Sequence, residues 1–385
     1  MRRARASVVG AFALHAAVAG TLGPRLPAVK EQAGITDGEL GVVLAVFAVG
    51  LFVGTRIVSL LLDRLGTRGV LRGGMPLLGV SLLGPAFAQS LPSLAAALFG
   101  VGALSGILDV AMNSNAVVVE RSYGRPIMSS IHGTWSAGML VASGGAAAAA
   151  ALDVSLRLHF GVAALAIALV SVPALGHLAA AAADVPQERV LAARTRGYLL
   201  ARPVLLLGII GFCSFLGEGA AIDWSAVYVD ESLDASRGAA ALAFVAFSVG
   251  ITASRFLVDR IAARLGPVPV VRWGATLAAA GLALGLAVPE KGVAIAGFSL
   301  LGAGLAPVVP TVFSAAGNMR ARSGRSALAA VVTISYLGSI LGPALIGFVT
   351  SLVGLRAALG IPVLLALVAA TLAAQVASAP GGRRG

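Results

Sequence analysis

Residues 53–64 read VGTRIVSLLLDR, and residues 249–260 read VGITASRFLVDR, an offset of 196 residues. A second stretch, VGALSGILDVAMNSNAVVVERSYGRP at 101–126, lies over LGAGLAPVVPTVFSAAGNMRARSGRS at 301–326, an offset of 200. Gly102, Ala103, Gly124 and Arg125 then meet Gly302, Ala303, Gly324 and Arg325, and further on Gly138 meets Gly338. Two alignments with nearly equal offsets predict a chain made of two related halves. In each half an apolar run ends on an Asp-Arg pair.

The runs around these stretches set the class. Of 385 residues 58% are hydrophobic and 11% charged, with a mean hydropathy of +0.95. A soluble domain carries about 25% charged residues, so the composition predicts an integral membrane protein. Apolar stretches of about 20 residues between charged or Pro/Gly breaks give twelve spans. Six are expected at 6–29, 39–60, 69–88, 92–119, 127–150 and 158–180, and six more at 203–229, 237–258, 267–288, 292–317, 327–350 and 356–377. The hydrophilic stretch 181–202 divides them into an N-terminal bundle (1–180) and a C-terminal bundle (203–385).

The net charge of +12 could mark a nucleic-acid binder, but the distribution of the cations argues otherwise. Twenty arginines fall in the loops on one side of the twelve spans, and six Lys or Arg residues fall on the other. The positive-inside rule therefore places both termini in the cytoplasm. The start, MRRARASVVGAFALHAAVAG, has the basic leader of a signal peptide; an even number of spans requires it as an uncleaved first helix. Cys213 is the only cysteine, which leaves no disulfide and no thiolate metal site.

The loop SLLLDRLGTRG, residues 59–69, resembles the cytoplasmic motif G-x-x-x-D-R-x-G-R-[KR] of the major facilitator superfamily (MFS). Asp63, Arg64, Gly66 and Arg68 match, while Ser59 and Thr67 depart from the pattern. RFLVDRIAARLG (255–266) is a degenerate second copy containing Asp259 and Arg260. DVAMNSNAVVVERSYGRPIMSSIHGTWSAG (109–138) and EGAAIDWSAVYV (218–229) are similar to bacterial members near the fucose-permease branch. The resemblance implies an all-α membrane protein of MFS fold, with twelve transmembrane helices in two pseudo-symmetric six-helix bundles in a bacterial cytoplasmic membrane. It implies alternating access, with Asp63 bracing the cytoplasmic start of span eleven as part of a gate.

Charged or polar groups inside the spans carry the candidate chemistry, because a carboxylate at the bilayer centre costs about 2.5–3.5 kcal/mol. Ser105, Asp109 and Asn113 stand at i, i+4, i+8 on span four, with Glu120 lower on that stripe. Ser129, His132, Ser136 and Ser143 share a face of span five. In span seven Ser214, Glu218 and Ser225 fall together, and Asp223 is turned roughly 140° from Glu218. Asp109 and Glu218 lead as proton-coupling groups, since a carboxyl that gains and loses a proton can tie proton entry to a conformational change. The competing role is an ion pair of either acid with Arg56 or Arg255. His132 is a candidate relay or a capping histidine, and Asp223 is expected to pair with Arg25 or else to bind the substrate. Trp135 and Trp224 can stack on a substrate or pack between helices. Asn113 and Asn115 suit either solute recognition or interhelical hydrogen bonding.

No HExxH, GxSxG or Walker-type glycine loop occurs, so neither an enzyme nor an ATP-driven pump is expected. Gly338-x-x-x-Gly342-Pro343 resembles an antiporter motif, but the span-five segment where that motif belongs, GMLVASGG (138–145), lacks the Gly-Pro. The expected function is proton-coupled transport of a small polar solute, a sugar or related metabolite. Proton-driven export of a metabolite or drug is the alternative, and a sensor built on a transporter fold is a remoter one. No cofactor or metal is expected. The partners implied are a solute, protons and lipid, with the chain acting as a monomer.

Overall fold

The computed structural model describes residues 2–123, 127–179, 201–317, 319 and 324–377. Among these residues the only regular structure is helical. The connection expected at 181–202 falls almost wholly outside them, and so do the side chains of Asp259, Arg260 and Ser129.

Helix α1 (Arg2–Leu22) passes through a turn at Gly23–Arg25 into α2 (Leu26–Ala33). Helix α3 (Asp37–Ser81) starts at a capping box, in which Thr36 Oγ1 accepts from the Glu39 amide and Glu39 accepts from the Thr36 amide. α4 (Leu83–Phe87) and α5 (Leu91–Tyr123) follow, then α6 (Met128–Ala151) and α7 (Leu156–Ala174). Beyond the connection come α8 (Arg202–Val227), which ends in a π-helical turn at Tyr228–Ser232, and α9 (Arg237–Leu265). Next are α10 (Pro267–Ala287), α11 (Lys291–Leu305) and α12 (Val308–Gly317). The described chain ends with α13 (Gly324–Val353), α14 (Leu355–Ala358), α15 (Gly360–Leu372) and a 3-10 turn at Ala373–Ala377.

Ten helical segments are long and apolar enough to cross a membrane. One of them, Asp37–Phe87, has 51 residues, about 75 Å of helix at 1.5 Å per residue against a hydrocarbon core of about 30 Å. It breaks inside α3 at Gly66, where φ is 62° and ψ 170°, a backbone region open essentially only to glycine. Gly266, 200 residues on, has φ 79° and ψ 170° and separates α9 from α10. The repeat legible in the sequence is thus a repeat of backbone conformation. Helix α6 is not among the ten, because glycine and serine dilute its 24 residues.

The chain forms two compact units: Met1–Asp184 with Ala226–Ser248, and Val185–Ser225 with Val249–Gly385. Lipid tails are as apolar as leucine, so helices in a bilayer gain little by hiding apolar surface; close backbone packing through small residues takes over. In the first unit Gly54 of α3 lies against the Ala103 carbonyl of α5, and Gly138 of α6 against Ala13 of α1. In the second, Gly250 of α9 lies against the Ser299 carbonyl of α11, and Gly338 of α13 against Phe212 of α8. A Cβ at any of the four would collide with backbone. Phe12, Leu40, Leu71, Met75 and Phe160 are fully buried in the first unit, and Val271, Val308, Val312, Ala330 and Val331 in the second.

Candidate functional site

In the first unit the polar stripe of α5 meets two other helices. Asn113 Nδ2 donates to the Asp109 carbonyl at 2.8 Å and to Asp109 Oδ1 at 3.2 Å. His15 of α1 donates through Nε2 to the Ser105 carbonyl at 3.2 Å, and Trp135 of α6 donates through Nε1 to His15 Nδ1 at 3.3 Å. Together these bonds fix a neutral imidazole with its proton on Nε2. His15 and His132 both lie within Coulombic range of Asp109. His132 is exposed and sets its ring edge-on to Phe12, with centroids 5.1 Å apart. The i, i+4 spacing puts Asn113 in hydrogen-bond contact with Asp109, while Ser105 joins the cluster only through its backbone carbonyl. His15 was missed as a site residue, although a lone histidine in the apolar run GAFALHAAVAG was a usable signal.

In the second unit Glu218 of α8 faces Arg255 of α9, Oε2 to Nη2 at 3.6 Å, with side chains 13% and 28% exposed. Ser214 Oγ donates to Glu218 Oε1 at 3.4 Å. Of the ion pairs weighed from sequence, this one forms. Arg56 instead lies over the Phe52 ring, 4.7 Å from its centroid, because it is exposed where an aromatic face is the nearest partner. Asp223 is half-buried and Trp224 fully buried, the indole Nε1 having no hydrogen-bond partner. Arg25, expected beside Asp223, donates through Nη2 to the Val154 carbonyl at 2.7 Å. The turn between α6 and α7 presents that carbonyl to it first.

The Asp63–Arg68 loop is anchored by its basic end. Arg68 Nε donates to the Leu178 carbonyl at 2.5 Å, and Arg72 donates to the Leu175 and Gly176 carbonyls at 3.1 and 2.5 Å. These carbonyls follow α7, where a helix leaves acceptors unsatisfied and carries partial negative charge. Asn115 of α5 completes the arrangement, donating to Thr67 Oγ1 and to the Ala179 carbonyl, both at 3.0 Å. Asn115 is therefore an interhelical bracket. Arg72 was not recognised from sequence, since the motif stops short of it. Glu120 accepts from the Ile127 amide at 2.8 Å, tying the end of α5 to the start of α6. Asp63 and Arg64 are exposed, and the side chains at the start of α13, which Asp63 would brace, lie outside the described ones.

The profile of the Major Facilitator Superfamily matches residues 8–232 and, in a second match, 207–383. An uncharacterized MFS-type transporter of Yersinia pestis is 33% identical, over 92% of this chain and 90% of its own length. An uncharacterized transporter of Sinorhizobium fredii is 34% identical, over 95% and 96%. Among solved structures, a mutant of the nucleoside transporter NupG superposes with a TM-score of 0.76 at 12% identity, covering 98% of this chain and 99% of that one. A bacterial homologue of the lysosomal transporter Spinster superposes with a TM-score of 0.72 at 14% identity, covering 97% and 96%. At such identities the two structures speak for the fold, whereas the profile and the two sequence relatives speak for kinship. The two repeated halves, the paired glycine breaks and the polar groups held inside apolar helices are thus those of a multi-pass membrane protein that belongs to the major facilitator superfamily.

Proposed function

We propose that the chain is a proton-coupled secondary transporter of a small polar solute, working by alternating access in a bacterial cytoplasmic membrane. Twelve crossings follow if the Gly66 break divides Asp37–Phe87 into two and α6 supplies one more. Both termini then face the cytoplasm, as the arginine distribution requires. The observation that carries the reading is Asp109, set in an apolar helix beside Asn113 and in range of His15 and His132. A carboxyl and an imidazole in that setting can hold one proton between them, and its arrival or departure changes the hydrogen bonds of three helices. Moving a proton down ~100 mV supplies about 2.3 kcal/mol, enough for roughly 40-fold solute accumulation.

In this reading Glu218 and Arg255 form the corresponding charged group of the second unit, open to exchange partners when a proton or solute enters. In the first unit Asn113 and Trp135 supply amide and aromatic surface for a solute carrying hydroxyl or amide groups. Asp63, Arg64, Gly66, Arg68, Asp259 and Arg260 belong to gating and not to binding. The test is reconstitution in proteoliposomes with an imposed pH gradient and a panel of sugars and nucleosides. One solute should be accumulated with the gradient and should itself trigger proton flux. Exchange of a solute with no accumulation under any gradient would replace proton coupling by facilitated diffusion.

A further inference from the structure

The first unit contains a cleft of about 420 Å³, remote in sequence from Asp109 and opening where α2, the α6–α7 turn and the start of α9 come together. That volume lies within the range of small-molecule sites, about 300–1,000 Å³. Arg25 lines it and is only 4% exposed; one arm of its guanidinium bonds Val154, while Nη1 has no hydrogen-bond partner. An unpaired N–H on a buried cation is costly. Asp153 also lines the cleft and lies in Coulombic range of Arg25, yet the two make no ion pair within 4.0 Å among the described residues. Arg237, across the cleft, is half-exposed and neutralised by Glu31.

The first turn of α7 supplies a second, independent feature. Ser155 and Leu156 line the same cleft. Ser155 Oγ accepts from the Leu158 amide at 3.3 Å, which leaves the earlier amides of this 19-residue helix for another acceptor. The positive end of a helix dipole and a guanidinium whose unbonded arm is enclosed lie along one cleft, the chemistry that holds an oxyanion once that arm turns outward.

We propose that this cleft is an oxyanion site, taking a phosphate or carboxylate group on Arg25 Nη1 and the first-turn amides of α7. A ligand there would touch α1–α2, the α6–α7 turn and α9 together, and so would tie the segment Ala226–Ser248 to the rest of the first unit. The occupant is a soluble anion or the headgroup phosphate of a lipid.

The test is thermal unfolding of the purified full chain in detergent, with sodium phosphate or succinate replacing chloride at constant ionic strength. The melting temperature should rise saturably with phosphate or succinate and not with chloride. Arg25→Gln should abolish the rise. Glu31→Gln, at an exposed position, should tighten the apparent affinity about tenfold, the value expected when Arg237 gains a charge-assisted bond to the anion. A phosphate response that disappears in phosphatidylglycerol nanodiscs but persists in nanodiscs of a phosphate-free galactolipid identifies the lipid headgroup. An equal response in both identifies a soluble anion. No response beyond that to chloride, or an equal one in Arg25→Gln, overturns the proposal. Should Arg25→Gln fail to fold, an unchanged affinity in Glu31→Gln overturns it as well.

Discussion

At the scale of single residues, His15 separates structure from coupling most cleanly. Its ring donates to Ser105 and accepts from Trp135, and a glutamine amide can do both without taking a proton. His15→Gln should therefore cost no more than about 1.5 kcal/mol of stability, lose proton-driven uptake and keep solute exchange. His15→Leu should lose stability too, because Trp135 and Ser105 would lose their partner. Driven uptake at parental rate in His15→Gln would remove the imidazole from the coupling route. The Glu218–Arg255 pair asks for a double-mutant cycle. Arg255→Gln strands a mostly buried carboxylate and should cost about 1–3 kcal/mol, less than a fully buried pair because both side chains see some solvent. Removing both charges should recover part of that loss, and a double variant no more stable than Arg255→Gln would mean that the pair is idle. What was legible here was local. Ser105, Asp109 and Asn113 share a face by helical spacing alone, whereas Trp135 meets His15 across 120 residues. The same limit explains Arg25, whose partner is decided by a turn 129 residues away.

At the scale of elements, the two glycine breaks carry the repeat. Both Gly66 and Gly266 combine a positive φ with ψ near 170°, and a side chain there is strained by about 1–3 kcal/mol. Gly66→Ala and Gly266→Ala should each lower the melting temperature of the purified protein. Gly34→Asn is the control: that glycine sits at φ 64°, ψ 36°, a left-handed cap that asparagine tolerates. If Gly34→Asn costs as much as Gly66→Ala, backbone conformation is not what these positions provide. Just beyond Gly66, Arg68 and Arg72 hold the carbonyls that follow α7. The sequence showed Gly66 and Arg68 as letters of a loop motif and left Arg72 beyond it. It did not show that the glycine breaks one helix while the arginines cap another, because the cap belongs to a segment about a hundred residues away. The matching offsets of about 200 residues were legible, since the same packing problem is solved twice with the same small residues.

At the scale of the whole molecule the packing glycines and the Asp-Arg loop pairs repeat, and the charges within the helices do not. Gly54 and Gly138 recur in place as Gly250 and Gly338, yet at an offset of 200 Asp109 and His132 fall on Val309 and Val332. The two halves thus share a scaffold and divide the chemistry, the first holding the Asp109 cluster and the second Glu218 with Arg255. This makes topology the decisive test of the whole reading, and Cys213 makes it accessible. The thiol is the chain's single cysteine and is 2% exposed, so Cys213→Ala should give a folded background without native label sites. In it Gln89→Cys and Lys291→Cys, both at exposed connections, should react with a membrane-impermeant maleimide in intact cells. Arg3→Cys and Arg64→Cys should react only once the membrane is permeabilised. If Asp37–Phe87 crossed once, Arg64→Cys would lie within the bilayer and stay unlabelled under both conditions. Labelling of Arg3→Cys from outside would invert the orientation drawn from the arginines. The predicted pattern would place the Gly66 break at the cytoplasmic surface, beside the loop that Arg68 and Arg72 anchor to the end of α7.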